Sequence, residues 1–210
     1  MTAGAVPDWL GWARRLAAVA QTGLAYADSG FDAQRYEAVR EVASELMAVG
    51  SGRTPAELRG LLAAEVGHAT PKVDVRGVVF VGDRVLLVRE REDGRWTLPG
   101  GWADPGETPA EAVVREVAEE AGYHTRAVRL LAVYDRERQG HTPPLAFSVY
   151  KLFFECEVLE VTASDGVETD GVDLFDPSRL PPLSLGRVTG RQIARFAATR
   201  GAVERAADFD

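Results

Sequence analysis

The stretch that decides the fold is Gly101–Tyr123, which reads Gly-Trp-Ala-Asp-Pro-Gly-Glu-Thr-Pro-Ala-Glu-Ala-Val-Val-Arg-Glu-Val-Ala-Glu-Glu-Ala-Gly-Tyr. It contains a helix-start signal, because Thr108 is a good N-cap, Pro109 suits the first helical position and Glu111 completes a capping box. Gly122 is the residue type that commonly follows the end of a helix. The stretch therefore predicts a Gly-rich turn and loop followed by one helix.

Glutamates crowd one face of this predicted helix. Glu116, Glu119 and Glu120 are spaced as neighbours on that face, with Cβ atoms roughly 5–6 Å apart. Such like charges repel, and clustered carboxylates are the hard oxygen ligands that Mg²⁺ and Mn²⁺ prefer. Arg115 precedes Glu119 by one helical turn and can brace its carboxylate. The alternative is a solvated acidic face, but the Gly-rich turn and the arginine favour a metal site.

The same stretch resembles the Nudix box, a spaced pattern of glycine, glutamate, arginine and hydrophobic positions. Only the last hydrophobic position varies mildly, because it holds Tyr123 rather than an aliphatic residue. The resemblance implies an α/β fold, namely an α/β/α sandwich with a mixed sheet. It also implies metal-dependent hydrolysis of a nucleoside diphosphate linked to another group X. The matching residues are Gly101, Glu107, Arg115, Glu116, Val117, Glu119, Glu120, Gly122 and Tyr123.

We predict a metal site built mainly from the box. Glu116 and Glu120 hold Mg²⁺, with Mn²⁺ as a possible substitute, and Glu119 assists or binds a further ion. Glu107 accepts a hydrogen bond or reaches the metal through water. The resemblance implies that the backbone carbonyl just before the box glycine, here that of Gly100, is also a ligand.

Catalysis requires a group that takes a proton from the attacking water. Glu116 and Glu168 are the candidates, with Arg115 orienting the cluster and Glu119 assisting. Glu168 lies in the Gly166–Gly171 loop, and many Nudix hydrolases carry a glutamate on a corresponding loop. A solvated acidic loop is the alternative, and two rival carboxylates lie nearby, those of Asp165 and Asp170.

Four residues outside the acidic cluster are candidates for binding substrate: Arg76, Arg136, Arg138 and Trp102. An arginine can clamp a phosphate with two parallel hydrogen bonds, and a tryptophan can stack on a base. The alternatives are surface solubility for the arginines and core packing for the aromatic residues, including Tyr134 and Phe175. His141 is expected to be an exposed or hydrogen-bonded loop residue, because no second His or Cys stands at ligand spacing.

Residues 1–69 are predicted to form a small all-α domain before a Nudix domain at 70–210. Asp8, Asp32 and Thr54 are the expected N-caps of three helices. A unit of this size buries little apolar surface alone, so it should pack on the next domain or on a second copy. The predicted buried stripes are Trp9, Trp12, Leu16, Val19 and Gly23 in the first helix, and Tyr36, Val39, Ala43 and Leu46 in the second.

This N-terminal segment resembles the helical domain attached to a subset of Nudix hydrolases. The residues that carry the likeness are Ala20–Tyr26 and Phe31–Tyr36. The resemblance and the small size of the unit together predict a homodimer.

The remaining elements follow from hydrophobic periodicity and turn residues. Strands are expected at Val73–Val81 and Arg84–Arg89, joined by a tight turn, and at Trp96–Leu98. The later elements are strands at Val128–Tyr134 and Asp173–Phe175, a β-rich run at Leu145–Val161, a helix at Val188–Thr199 and a frayed tail at Ala202–Asp210.

Composition narrows the functional classes. The formal net charge of −8 argues against a general nucleic-acid binder, although a metal-loaded pocket can still take one nucleotide. The single cysteine, Cys156, is expected in the core, which suits a reducing cytoplasm. No secretory signal and no apolar stretch long enough to span a bilayer is seen, so we predict no membrane association.

Three functions are compatible with these observations. The first is a pyrophosphohydrolase for a nucleoside diphosphate linked to X, of the ADP-ribose or CDP-choline type. The second is a hydrolase of nucleoside triphosphates or RNA 5′-phosphates, which the missing basic surface disfavours for RNA. The third is a non-catalytic Nudix-fold nucleotide sensor, which the intact set of box glutamates disfavours.

Overall fold

The computed structural model describes residues 8–49, 51–162, 168–201 and 206–210. The chain divides into two compact units, one of residues 1–71 with 145–148 and the other of 72–144 with 149–210. The helices are α1 (Trp9–Tyr26), α2 (Gly30–Ala48), α3 (Pro55–Ala63), α4 (Pro109–Ala121) and α5 (Gly190–Ala198). The strands are β1 (Lys72–Val81), β2 (Arg84–Glu90), β3 (Trp96–Thr97), β4 (Tyr123–Asp135), β5 (Val149–Val161), β6 (Thr169–Phe175) and β7 (Asp208–Phe209).

The first unit contains α1, α2 and α3, and side chains cap each of them. Asp8 caps α1 and Thr54 forms a capping box with Glu57, as the sequence predicts. The predicted cap of α2 is wrong by three residues. Ser29 is the N-cap, and Asp32 lies in the first helical turn, where its carboxylate faces the positive end of the helix dipole.

The core of this unit is built from small residues on α1. The predicted stripe of that helix is right for Leu16, which packs against this core, and wrong for three other residues. Trp9, Trp12 and Val19 are 45%, 46% and 57% exposed. Alanines on the adjoining face of α1 are buried instead, which lets α1 and α2 approach closely. The core residues are Ala13, Ala17, Ala43, Met47, Leu58 and Leu62. Periodicity located an apolar face, but another face of the same helix packs inside the chain.

A short segment from later in the chain completes this core. Ala146 and Phe147 pack against it, and the guanidinium of Arg14 donates to the carbonyl of Leu145, with an Nε–O distance of 2.8 Å. The predicted β-rich run at Leu145–Val161 is therefore wrong at its start, because β5 begins only at Val149.

The second unit is organised by its sheet. The strand order is β3-β2-β1-β5-β4-β7, with β6 also paired to β2. β1 pairs in parallel with β5 and antiparallel with β2, so the sheet is mixed, as predicted. The β1–β2 pairing is confined to the end of their hairpin, after which β2 pairs with β3 and β6.

Helices cover the two faces of this sheet. On one face α4 packs Val113 and Val117 against Val75 and Val79 of β1. On the other face α5 packs Ile193 and Phe196 in a core that includes Phe153. The unit therefore has the three layers of an α/β/α sandwich, as predicted.

The C-terminal residues correct another prediction. Residues 206–210 of the expected frayed tail are ordered against β4, because β7 pairs in parallel with Ala132 and Val133. The hydroxyl of Tyr134 donates to Asp208, which also pairs with Arg195 at 2.6 Å. In the described residues, no helix is both long and apolar enough to cross a membrane.

Candidate active site

The turn before α4 runs along β1 in the position of a neighbouring strand. The backbone amides of Val75 and Gly77 donate to the carbonyls of Gly101 and Pro99, both at 2.8 Å. Each bond uses a β1 amide on the side away from β5, so the turn is fixed by the sheet rather than by its own sequence.

Gly100 is the residue that this geometry constrains most. Its φ is +142°, and a Cβ at this position would lie 2.1 Å from the carbonyl oxygen of Val75. Only glycine fits there, because both the backbone conformation and the space exclude a side chain. The Gly100 amide then donates to the Glu120 carboxylate at 2.8 Å.

Helix α4 delivers the predicted carboxylates to this turn. Its capping box joins Thr108 and Glu111, and Gly122 ends it in the left-handed conformation, as predicted. Glu120 is buried beside Gly100, and Glu116 lies against Gly101, where an added Cβ would be 2.9 Å from the Glu116 carboxylate. Two carboxylates of one helix face therefore meet at consecutive residues of the turn.

Arg115 holds the remaining acidic groups. Its Nε and Nη2 donate to the two oxygens of Glu107 at 2.8 and 3.0 Å. Its Nη1 donates to Glu116 and to Glu119, both at 3.0 Å. The guanidinium of Arg115 thus offsets the repulsion among three carboxylates, and its bonds to Glu107 connect the loop to the helix.

Burial shifts the protonation equilibria of the two inner carboxylates. It raises the pKa of Glu120 to about 8, with Glu90 and Glu116 adding repulsion and with Arg76 and the Gly100 amide opposing the shift. Burial also raises the pKa of Glu116, against the attraction of Arg115. Both groups would be stabilised as anions by a nearby divalent cation.

The donor set fits a hard divalent cation, since it consists of carboxylates and the backbone carbonyl of Gly100. In the described part of the chain, however, no three acidic, histidine or cysteine side chains are grouped closely enough to hold a metal ion as they stand. Their oxygens are engaged by Arg115 and by the Gly100 amide. Each carboxylate still has acceptor positions left for a cation, and metal binding requires Glu116 and Glu120 to turn these toward one point.

Comparison with known proteins agrees with this geometry. Residues 70–196 match the family model described as NUDIX domain. The chain belongs to the Nudix family. Residues 7–62 match a second model, described as a UDP-X-like, N-terminal oligomerisation domain. Nudix hydrolases generally use divalent metal ions, which agrees with the donor set at the turn.

Several relatives of this Nudix hydrolase cover most of its length. Bacillus subtilis (strain 168) YjhB, provisionally named an ADP-ribose pyrophosphatase, is 42% identical over 186 residues, 89% of each chain. A structure of a UDP-X diphosphatase is 30% identical, covers 97% of this chain and 98% of its own, and has a TM-score of 0.62. An ADP-ribose pyrophosphatase structure from Streptococcus suis 89-1591 is 36% identical over 67% of this chain and all of its own, with a TM-score of 0.61.

Glu168, the candidate base outside the Nudix box, lies immediately before β6. It is exposed, its backbone carbonyl accepts from the Arg91 amide at 3.1 Å, and its charge is felt by Glu90. The rival Asp170 is paired with Arg89 at 2.7 Å. The other rival, Asp165, lies outside the described residues.

The four predicted substrate-binding residues separate into two groups. Trp102 is 50% exposed and Arg138 is exposed, so both side chains are accessible from solvent. Arg76 and Arg136 are buried, and their guanidinium groups donate to internal partners. A buried guanidinium with internal partners is not available to a substrate, so the prediction of direct substrate contact is corrected for Arg76 and Arg136.

Sequence reasoning missed three buried charged residues near the Nudix box. Glu90 ends β2, and one of its oxygens lies 2.9 Å from the Nε of Arg187. Asp74 on β1 and Lys151 on β5 form a buried ion pair at 2.5 Å. A charged residue within an apolar strand was the available signal for each, but the pairing required the strand register.

His141 is buried and hydrogen-bonded in its loop. Its Nδ1 donates to the carbonyl of Leu185 at 2.9 Å, and its Nε2 accepts from Gln192 at 3.1 Å. Burial lowers the pKa of His141 to about 4, and the charges of Lys151 and Arg136 reinforce the shift. The neutral ring is therefore part of the folded structure.

This burial predicts an acid-sensitive stability. The depressed pKa of His141 contributes stability that is complete above the usual histidine pKa of 6.5 and is lost as pH falls to about 4. The loss is about 3 kcal/mol, at roughly 1.4 kcal/mol per pKa unit. As pH falls across this window, the free energy of unfolding from urea titrations should decrease in the wild type relative to His141→Gln.

Two other titratable groups change the stability in a different pH range or with the opposite sign. The pKa of Asp74 is depressed to about 2 by its cations despite burial, so its contribution is lost below 3.8. The raised pKa of Glu120 gives a contribution that is lost as pH rises from 4.5 to about 8. Equal slopes in the wild type and in His141→Gln between pH 6.5 and 4 would contradict the assignment to His141.

Proposed function

We propose that this chain is a Mg²⁺-dependent pyrophosphohydrolase, with Mn²⁺ as a substitute, that cleaves a nucleoside diphosphate linked to X into a nucleoside monophosphate and phospho-X. The observation that carries the proposal is the meeting of Glu116 and Glu120 at the Gly100–Gly101 turn. These two carboxylates and the carbonyl of Gly100 would hold the cation. When bound, it supplies Lewis acidity and neutralises charge on the phosphate oxygens.

The protein's own side chains orient the acidic cluster and accept the proton of the attacking water. Arg115 holds Glu107, Glu116 and Glu119 in fixed relative positions through four hydrogen bonds. Glu168 accepts the proton of the attacking water. It is exposed, its charge acts on buried Glu90, and the ion pair with Arg89 engages Asp170 instead. Glu116 is the alternative base.

We expect Glu168→Gln to lower kcat by about 10²- to 10⁴-fold, the range for loss of a general base. Because Glu168 is exposed, the thermal midpoint and the affinity for Mn²⁺ should stay close to wild type. Steady-state kinetics at saturating Mg²⁺ measures the first quantity, and calorimetric titration with Mn²⁺ measures the affinity. Asp170→Asn is the matched control on the same segment, and an equal loss in it would contradict a role specific to Glu168. Near wild-type kcat in Glu168→Gln would move the role to Glu116.

The proposed substrates are nucleoside diphosphate sugars, with ADP-ribose first and UDP-linked compounds second. The support is that the relatives covering most of this chain carry ADP-ribose pyrophosphatase or UDP-X diphosphatase in their names. CDP-choline is a third candidate from the family resemblance. We propose Trp102 and Arg138 as the residues that contact the base and phosphates, and their exposure supports this role.

A substrate panel tests this proposal. The purified chain is incubated with Mg²⁺ and ADP-ribose, UDP-sugars, CDP-choline or nucleoside triphosphates, and phosphate is measured after a coupled phosphatase. Hydrolysis of ADP-ribose or a UDP-sugar with kcat/KM at least tenfold above that for triphosphates supports the proposal. Preference for triphosphates, or no hydrolysis of any compound, contradicts it.

We also propose that the chain is a homodimer joined through its helical unit and acts in the cytoplasm. The matched N-terminal model is described as an oligomerisation domain, and Trp9 and Trp12 expose an apolar edge-to-face pair on α1. The buried Cys156 thiol, whose pKa burial raises to about 12, suits a reducing compartment. Sedimentation equilibrium that gives a monomer at all concentrations would contradict the dimer.

A further inference from the structure

Three charged side chains form a buried cluster that the proposed hydrolysis does not use. Asp74, Arg76 and Lys151 are each 4% exposed or less. The carboxylate of Asp74 accepts from Arg76 Nε at 3.0 Å and Nη2 at 2.7 Å, and from Lys151 Nζ at 2.5 Å. Asp74 thus binds the guanidinium through two parallel bonds, which fixes its plane.

The register of the sheet brings the three residues together. β1 and β5 run in parallel with Asp74 directly opposite Lys151, and Asp74 and Arg76 are alternate residues of β1 that share one face. Since Asp74 and Lys151 are far apart in the chain, this contact exists only when β1 and β5 are correctly paired.

Arg76 extends this cluster to the proposed metal site. Its Nη1 donates to the carbonyl of Leu98 at 3.2 Å. Leu98 is fully buried and immediately precedes Pro99 and Gly100. Arg76 is also close enough to Glu120 and Glu90 for its charge to favour both carboxylates as anions.

We propose that Asp74 and Arg76 are positioning residues of the cation site: Asp74 fixes the guanidinium of Arg76, which holds the Leu98 carbonyl and so positions Gly100, whose amide donates to the carboxylate of Glu120. This inference rests on the proposed function, because it concerns the same metal site. Neither residue touches the substrate or the reacting atoms. Lys151 donates to Oδ1 of Asp74, the oxygen that also accepts from Arg76 Nε, whereas the bond to Leu98 comes from Arg76.

The energetics of buried ion pairs favour a positioning role over a purely stabilising one. Taking such charges out of water costs several kcal/mol per ion, and an apolar replacement of the whole group is often neutral or stabilising. Groups that orient metal ligands from the outer shell, in contrast, typically contribute 10- to 100-fold in metal affinity. The fork of Arg76, which spans Asp74 and Leu98 together, has the geometry for this second role.

The test compares the two cations that share Asp74. Arg76→Lys keeps a charge near Glu120 but cannot bind Asp74 and Leu98 through one planar fork. Lys151→Met removes the other cation while leaving the Asp74–Arg76–Leu98 connection intact. Mn²⁺ affinity is measured on the full-length variants by electron paramagnetic resonance of free Mn²⁺, and thermal midpoints report folding.

We expect Arg76→Lys to raise the Kd for Mn²⁺ by about 10- to 100-fold and Lys151→Met to change it by less than twofold. The proposal is overturned if Arg76→Lys stays within twofold of wild type, or if Lys151→Met weakens binding as much as Arg76→Lys does. A wild-type chain that binds no Mn²⁺ would instead defeat the proposed function. That result is distinguishable because it does not depend on any variant.

A second variant keeps the inference testable if Arg76→Lys does not fold. Asp74→Asn with Arg76→Met removes one negative and one positive charge, so the local net charge is unchanged. The same 10- to 100-fold loss of Mn²⁺ affinity is expected, and wild-type affinity in the double variant would overturn the proposal. In both variants kcat at saturating Mn²⁺ should stay closer to the wild-type value than the Kd for Mn²⁺ does, because no reacting group has been removed.

Discussion

Replacing Glu120 with Gln is expected to lower kcat by about 10²- to 10³-fold at a fixed Mg²⁺ concentration. Glu120 is buried at the Gly100 amide, so its carboxylate is the innermost of the proposed ligands. A bound cation contributes several kcal/mol of transition-state stabilisation, and each 1.36 kcal/mol corresponds to a tenfold change in rate. Stopped assays of phosphate release with the preferred substrate measure the loss.

The fold should survive this substitution. Gln has nearly the shape of Glu, and its amide oxygen can accept from the Gly100 amide in place of the carboxylate. Glu111→Gln is the matched control on α4, since glutamine also completes a capping box. Near wild-type turnover in Glu120→Gln at limiting Mg²⁺, or an equal loss in the Glu111 control, would contradict the assignment of Glu120 as a ligand.

Gly100→Ala is expected to abolish measurable metal binding and to lower the free energy of unfolding by more than about 3 kcal/mol. The added Cβ would lie 2.1 Å from the Val75 carbonyl oxygen and 2.9 Å from the Arg76 Cα. Backbone atoms cannot move aside cheaply, so either the turn leaves β1 or the strand shifts. The strained conformation alone costs about 1–3 kcal/mol, and the steric overlap adds to it.

Gly94→Ala separates the cost of the backbone conformation from the cost of the steric overlap. Gly94 also has a positive φ, at +67°, but an added Cβ would meet nothing within 4 Å. We therefore expect only the conformational cost of about 1–2 kcal/mol and unchanged Mn²⁺ binding. Urea unfolding and Mn²⁺ titration of both variants check the comparison, and equal losses would show that the Val75 contact is not decisive.

The elements nearest the box were predictable from sequence because their signals are local. The capping residues of α4 and its terminal glycine lie within the segment that they organise, and the observed helix begins and ends where they indicate. The convergence of Glu116 and Glu120 follows from the helical period alone. Their meeting with the turn does not, since it depends on backbone bonds from the turn to β1.

The errors arose where two distant parts of the chain meet. Arg76 was predicted to bind substrate, whereas it is buried against Asp74, a partner shared with Lys151, and only the register of β1 and β5 shows that sharing. The α1 stripe was predicted to be buried because periodicity identifies an apolar face without saying what covers it. Trp9 and Trp12 remain exposed in the single chain, while the alanines make the internal contact.

The short C-terminal strand had no sequence signal of its own. Asp208 and Phe209 are too few to show a period, and the order there depends on Tyr134 and Arg195 elsewhere in the chain. A tail rich in small and charged residues was therefore predicted to fray. Side-chain partners far away in sequence decide the outcome.

The packing of Phe147 in the helical unit has a consequence for synthesis on the ribosome. α1, α2 and α3 leave the exit tunnel first, yet their core includes Ala146 and Phe147, which are translated only after β4. At typical elongation rates of about 5–20 residues per second, the three helices wait for several seconds with part of their apolar surface uncovered. A nascent chain arrested before residue 145 should therefore be more sensitive to protease in these helices than the completed and released chain.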